Sequence, residues 1–289
     1  MSSASTVELQ NLSYVFPRTS VVGLQDVSLR LPTSGRTLLI GANGAGKTTL
    51  LRVLAGKSLA KSGSVSVGGI DPFREGLQGV TYLGTEWATN PTVRHDVAVP
   101  YLLSSVGGDT WTERRDELIR ILDIDLRWHM NTVSDGERRR VQLAMGMLRP
   151  WTILLLDEVT VDLDVLVRAE FLSFLKRETL QRDCSIVYAT HIFDGLADWP
   201  THVAHMAVGR VLNIAPVQEF AQLHAPTSHA SNSSLLEMAL EWLRQDVEIR
   251  GARADAQKLR WEDLAADATL GGVDASKFTD YFKVTRNTQ

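Results

Sequence analysis

A single cysteine, Cys184, stands among 289 residues. No internal disulfide can form, so the chain must be held together by its packed core, and an intracellular setting is expected. Long apolar runs are also missing. No stretch approaches the roughly 18 residues that cross a bilayer, and "MSSASTVELQ" lacks the charged start and apolar centre of a secretory leader. Work at a membrane would therefore need a partner to hold the chain there, with no direct insertion. A basic surplus is absent as well: 34 Asp and Glu outnumber 30 Lys and Arg, for a formal net charge of −4. Nucleic acid is accordingly not expected as a partner. The chain also has no N-K-x-D run, the pattern that reads a guanine base.

What remains is the composition of an ordinary globular protein, 44% hydrophobic and 22% charged. The first 215 or so residues alternate short apolar runs with helical patterns, the habit of an α/β fold. "VGLQDVSLRLP" alternates as a strand, with Val27, Leu29 and Leu31 on one side. "RTLLIG" and "CSIVYATH" read as short buried strands, and "GSVSVGG" alternates and then turns. "KTTLLRVLAG" has helical spacing and a glycine stop, "WTERRDELIRILDI" is amphipathic with Leu118, Ile121 and Leu122 inward, and "GERRRVQLAMGMLRP" is a helix stopped by Pro150. Composition shifts after Val217. "HAPTSHASNSS" reads as a linker, and "SLLEMALEWLRQDV" as a helix with a stripe of Leu235, Ala239, Leu243 and Val247 and a capping-box match at Ser234 and Glu237. A weaker helical pattern follows around Trp261 and Leu264. The expected division is residues 1–217 as the main domain, with 218–289 as linker and helical extension.

"GANGAGKT" (41–48) fits G-x-x-x-x-G-K-[ST] at every fixed position, with an apolar strand before it and a helix pattern after it. From average composition, a chance match in such a chain is on the order of one in a hundred. The chemistry explains the residue types. Gly41, Gly44 and Gly46, with the small Ala42 and Ala45 and with Asn43, let backbone N–H groups turn inward around phosphate oxygens. Lys47 can reach the β- and γ-phosphates, Thr48 can place its hydroxyl on Mg²⁺, and Thr49 adjoins it in the helix N-terminus, which adds partial positive charge. A second signal is "LLLDEVTVDLD" (154–164), where a buried strand runs into two acids. Beside a phosphate loop, Asp157 is placed to hold the Mg²⁺ shell and Glu158 to polarise a water attacking the γ-phosphate. Read alone, the same acids would suit a helix start.

Four further features, in this order and spacing, resemble the ATP-binding domain of the ABC superfamily. "VSDGE" (133–137), whose Ser134 lies 23 residues before Asp157, looks like the signature L-S-G-G-Q with three substitutions. "TVDLD" (160–164) looks like the D-loop, and His191, 33 residues after Glu158, looks like the switch histidine that contacts the γ-phosphate. Phe16 occupies the place of the aromatic that stacks on adenine, with Tyr14 a second candidate. The resemblance spans roughly residues 7–214. It implies an α/β P-loop NTPase of ABC type: a mixed sheet core, an antiparallel β subdomain, and a helical subdomain at about 94–150. It also implies ATP and Mg²⁺ as substrate and cofactor, and Glu158 and His191 as catalytic residues. Nucleotide would bind in a head-to-tail dimer, with Ser134 and the Gly136 N–H reaching phosphate held by the opposite subunit.

The chain departs from the family at three places. "GTEW" (84–87) stands where the Q-loop glutamine is expected, so Thr85 or Glu86 occupies its place. Trp87 beside it is either a docking residue for a partner or a core filler. Val159 replaces a common proline, and Asp135 and Glu137 put two acids into a phosphate loop, where like charge is costly unless offset. Arg138, Arg139 and Arg140 either supply that offset or form a solvated helix face. "TYLGTEW", "ILDIDLRW", "IVYATHIFDGLADWP" and "MALEWL" narrow the resemblance to eukaryotic ABC proteins without membrane domains, whose fungal member is associated with the CCR–NOT transcription regulatory complex and which include plant subfamily I members. That resemblance implies an ATP-driven switch, acting as a homodimer or ABC heterodimer within a soluble complex in the cytoplasm or nucleus. The rival readings are the energising subunit of a transporter with separate membrane proteins and, ranked last, a ribosome-associated ATPase of the kind that carries two such domains.

Overall fold

The computed structural model describes residues 5–74, 76–84, 86–87, 91–223 and 234–255. Two sheets organise them. A three-stranded antiparallel sheet is built from β1 (Ser5–Val15), β2 (Val22–Pro32) and β4 (Ser62–Val67), in the order β2-β1-β4. A six-stranded sheet runs β5-β6-β7-β3-β8-β9, from β3 (Arg36–Ile40), β5 (Val80–Leu83), β6 (Ile153–Asp157), β7 (Ser185–Ala189), β8 (His202–Ala207) and β9 (Arg210–Pro216). Its strands pair in parallel except β9, which returns antiparallel on β8. The helices are α1 (Lys47–Leu54), α2 (Val99–Ser105), α3 (Thr112–Ile121), α4 (Asp135–Met147), α5 (Val165–Gln181), α6 (Val217–Leu223) and α7 (Ser234–Asp255). This is the mixed sheet, antiparallel subdomain and helical subdomain expected above.

The central strands are buried along their whole length, and their two-residue period divides them between two cores. Leu38, Ile40, Leu154, Leu156, Ile186 and Tyr188 join one cluster with α2, α3, α4 and α5. Leu39, Ile153, Leu155, Val187 and Ala189 join the other, with α1 and the antiparallel sheet. Each fully buried Leu, Ile or Val contributes about 1.5–3 kcal/mol relative to an exposed one. β6 is apolar from Ile153 to Leu156, and Asp157 marks its end.

The chain divides into units Met1–Val247 and Glu248–Gln289, the second described only by the last turns of α7. Within the first unit α7 buries Leu235, Met238, Ala239, Trp242 and Asp246, while Val247 is exposed. The stripe expected from Leu235, Ala239, Leu243 and Val247 is thus corrected. Each four-residue step overshoots a helical turn by about 40°, so strict i+4 spacing walks off the buried face. The capping match at Ser234 and the pattern around Trp261 and Leu264 lie outside the described side chains.

One buried carboxylate is held by a pair of arginines. Glu178 on α5 accepts from Arg114 Nη2 at 2.6 Å and also from Arg182. Burial alone would push its carboxyl up; Arg114, and then Arg182, overcome this and hold it below the usual glutamate range. A depressed folded pKa contributes stability that is complete above the unfolded value and is lost as pH falls through the folded one. Glu178→Gln should therefore cost several kcal/mol at neutral pH, about 3–5 when a buried pair is broken. The difference from wild type should shrink below about pH 4. Urea melts at neutral and acid pH read both effects, and a pH-independent difference would contradict the ion-pair account.

Candidate active site

The phosphate loop sits between β3 and α1. Gly41 lies against β8: a Cβ there would stand 2.1 Å from the Met206 carbonyl oxygen, so no larger residue fits. Gly46, the N-cap of α1, has φ 102°, and a Cβ on it would meet the Gly23 carbonyl at 2.8 Å. Gly209 N–H donates to the Ala45 carbonyl at 2.9 Å, pinning the loop to the β8–β9 turn. Lys47 is almost fully buried, and its Nζ donates to the carbonyls of Gly41 (2.7 Å) and Ala42 (3.2 Å). Burial lowers its ammonium pKa below the usual lysine value, opposed by the charges of Glu158, Asp157 and Asp246.

The strand order brings the paired acids to the phosphate loop. β6 reaches β3 through β7, which places Asp157 opposite the start of α1. Thr48 Oγ1 donates to Asp157 Oδ1 at 3.1 Å, and Tyr82 hydroxyl donates to Asp157 Oδ2 at 3.2 Å. Burial pushes the Asp157 carboxyl up, while these two hydrogen bonds pull it back. Tyr82 was not foreseen: one tyrosine in a four-residue strand carries no signal until β5 is known to pair with β6.

Glu158 leaves the strand in the left-handed region, φ 53°. A non-glycine residue in that conformation is strained, and here it turns the carboxylate back towards His191. His191 Nδ1 lies 2.9 Å from Glu158 Oε2, and the His191 backbone N–H donates to the same oxygen at 3.3 Å. The two predicted catalytic residues are thus in contact.

Phe16 and Tyr14 make an edge-to-face pair, ring centres 5.2 Å apart, beside the loop. A Cβ at Gly23 would lie 2.8 Å from Phe16 and 3.2 Å from both Tyr14 and Thr49 Cγ2, so both aromatics flank the start of α1.

The signature segment caps α4. Ser134 N–H and Oγ each lie 2.7 Å from Glu137 Oε2, and Glu137 N–H returns a bond to Ser134 Oγ at 3.2 Å, a capping box. This was legible, since S-x-x-E is the same rule applied to Ser234. Those hydrogen bonds, Ser134's first, hold Glu137 below the usual glutamate range. Asp135 is offset by Arg138 at 2.6 Å. The three arginines are not a solvated face: Arg138 and Arg139 are buried, and Arg140 reaches Asp164 at 2.6 Å and Asp123 at 3.0 Å. Glu86 pairs with Arg52 of α1. Trp87 is half-buried against the core and, with Val106, Met145 and Gly146, lines a cleft of about 400 Å³.

The donor set suits a hard divalent cation. Thr48 and Asp157 offer two oxygens at the mouth of a phosphate loop, and Mg²⁺ is commonly held by one or two protein oxygens together with phosphate and water. No group of three or more His, Cys, Asp or Glu suited to a metal exists among the described residues.

The family model described as ABC transporter matches residues 24–161. The chain is 44% identical to CCR4-associated factor 16 of Saccharomyces cerevisiae, over 86% of this chain and 98% of that protein. It is 40% identical to ABC transporter I family member 20 of Arabidopsis thaliana, over 88% of this chain and 80% of that one. A solved ATP-binding subunit of an ABC transporter superposes with a TM-score of 0.67 at 18% identity, covering 82% of this chain and 99% of that one, a likeness of fold alone. No described helix is long and apolar enough to cross a membrane. The chain belongs to the ABC transporter family, whose ATP-binding domain it carries.

Proposed function

We propose that the chain binds Mg-ATP between two head-to-tail copies and hydrolyses it, acting as an ATP-driven switch in a protein complex. The observation that carries the reading is the convergence of Thr48, on α1 beside Lys47, with Asp157, Glu158 and His191 at the ends of the adjacent strands β6 and β7. Residues 1–217 form the ATP-binding domain, its helical subdomain at about 94–150, and 218–289 the extension.

Gly41, Ala42, Asn43, Gly44, Ala45 and Gly46 present backbone N–H groups to the phosphates, and Lys47 exchanges its two carbonyl partners for β- and γ-oxygens. Thr48 and Asp157 would hold Mg²⁺, which would neutralise phosphate charge when bound. Phe16 stacks on the adenine, and Thr49 adjoins the α-phosphate. Glu158 Oε2 takes the proton of the attacking water, while His191, already in contact with that oxygen, orients it and reaches the γ-phosphate. In the opposite copy Ser134 and Gly136 close over that phosphate, which requires Ser134 to loosen its bonds to Glu137. Closure on ATP and reopening after hydrolysis is the output.

The relative whose name records association with CCR4 supports a complex of that kind, in the cytoplasm or nucleus, over a transporter subunit.

Lys47→Ala removes the loop's only cation, and ATP affinity should fall roughly 10- to 10²-fold, as for a lost charged hydrogen bond. Unchanged affinity in calorimetry would remove the phosphate site. Glu158→Gln should retain ATP, slow hydrolysis by roughly 10²-fold or more, and accumulate an ATP-bound dimer in size exclusion. Intact hydrolysis would remove Glu158 as the base. Ser134→Arg should abolish hydrolysis while leaving monomer ATP binding in place. Mixed with Lys47→Ala it should regain part of the activity, because a head-to-tail heterodimer has one intact site. No recovery at any ratio would count against a shared site.

A further inference from the structure

α4 lies unusually close to two core segments. A Cβ at Gly136 would stand 2.9 Å from the Asp162 carbonyl, and one at Gly146 would stand 2.4 Å from the Leu83 side chain. One face of the helix is therefore pressed on the D-loop at one end and on the end of β5 at the other. Between these contacts sits Arg139, 2% exposed. Its Nη1 donates to the Gly84 carbonyl at 2.8 Å and to Gln142 Oε1 at 2.5 Å. Its Nε makes an ion pair with Asp162 Oδ2 at 3.5 Å. Gln142 Nε2 donates to the same Gly84 carbonyl at 3.1 Å.

We infer that Arg139 is a positioning residue that joins the signature helix, the loop after β5 and the D-loop into one body, so that the two copies' phosphate-facing segments move together. The inference rests on the ATPase reading above. Three features support it. A guanidinium spreads its charge over a rigid plane, so one side chain can bond a carbonyl and an amide through Nη1 while its Nε edge faces a carboxylate, a reach that the compact point charge of a lysine does not reproduce. A buried cation is costly unless paired, so its place among three partners from three segments is a specific bridge and not an incidental packing choice. The bridge also ends on the loop where "GTEW" begins, one residue before Thr85, so any shift of that loop is felt at Ser134 through five residues of rigid helix.

Arg139 is buried and turned to protein partners, so its loss should act on rate and not on binding. Arg139→Met keeps the length and apolar stem and removes the charge and the two Nη1 hydrogen bonds, while the Gly84 carbonyl keeps Gln142. Its kcat should fall roughly tenfold to 10²-fold, as misplacement of distant groups does, with KM and fluorescent-ATP affinity within about twofold. Arg139→Lys should recover only part of the rate, because an ammonium cannot hold both ends of the bridge. Asp162→Asn should also slow kcat, and the double variant with Arg139→Met should be no slower than Arg139→Met alone. Equal kcat for wild type and Arg139→Met at unchanged melting temperature, full recovery in Arg139→Lys, or additive losses in the double variant each overturn the bridge. If Arg139→Met fails to fold, Arg139→Lys and Asp162→Asn decide: wild-type rates in both overturn it. Hydrogen exchange separates this inference from the reading beneath it. On adding ATP and Mg²⁺, segments 134–140 and 160–164 should gain protection together in wild type and to different extents in Arg139→Met. Absent ATPase activity in wild type removes the proposed function, whereas identical joint protection in both proteins removes the bridge.

Discussion

The architecture of the site depends on a carboxylate buried at the end of an apolar strand. Asp157 is 3% exposed, and burial of an isolated charge there would be prohibitive. It is tolerable because Thr48 and Tyr82 each give it a hydrogen bond. Those two residues come from α1 and from β5, the strand that pairs with β6. The same acid therefore ties the phosphate loop to the strand that leads into the "GTEW" loop. Glu158 follows in a strained conformation, and the hydrogen bonds around Asp157 over-determine the backbone that holds it there.

A second level of organisation is carried by arginines. In a solvated helix a run of three would be worth little, since exposed pairs contribute about 0–1 kcal/mol. Here each has its own destination. Arg138 satisfies the Met130 and Val133 carbonyls and offsets Asp135, Arg139 reaches Gly84 and Asp162, and Arg140 reaches Asp164, itself the N-cap of α5. The two acids of the signature segment are thus absorbed locally: Asp135 by Arg138, Glu137 by the capping box. What looked like excess charge in a phosphate loop is a helix start whose two acids each have a local partner.

The part of α7 that belongs to the first unit is bound into the same frame. Trp242 stacks on His205 with ring centres 4.5 Å apart, and Asp246 Oδ1 lies 3.0 Å from His205 Nε2. His205 pairs with Ile40 in the sheet, one residue before the phosphate loop, and the next residue, Met206, packs its carbonyl on Gly41. α7 therefore braces the strand on which the loop rests, and its Asp246 charge bears on Lys47.

Residue type and spacing alone were enough for the phosphate loop, Asp157, Glu158 and the central strands, because those depend on local rules. A glycine-rich turn between strand and helix has few substitutes, and the four apolar residues of β6 run to the strand's end before the acids begin. The order and spacing of Ser134, the 160–164 segment and His191 were likewise legible along the chain. Three-dimensional packing decided the rest. Whether Arg139 was solvated or buried depended on how closely α4 approaches β5 and the D-loop, which the small Gly136 and Gly146 permit but do not announce. Tyr82 became a partner of Asp157 only through the pairing of β5 with β6, a contact between residues far apart in sequence. The buried face of α7 was set by His205 and Phe220, which receive Trp242, because a helix with apolar residues on several sides has no preferred face until a neighbour supplies one.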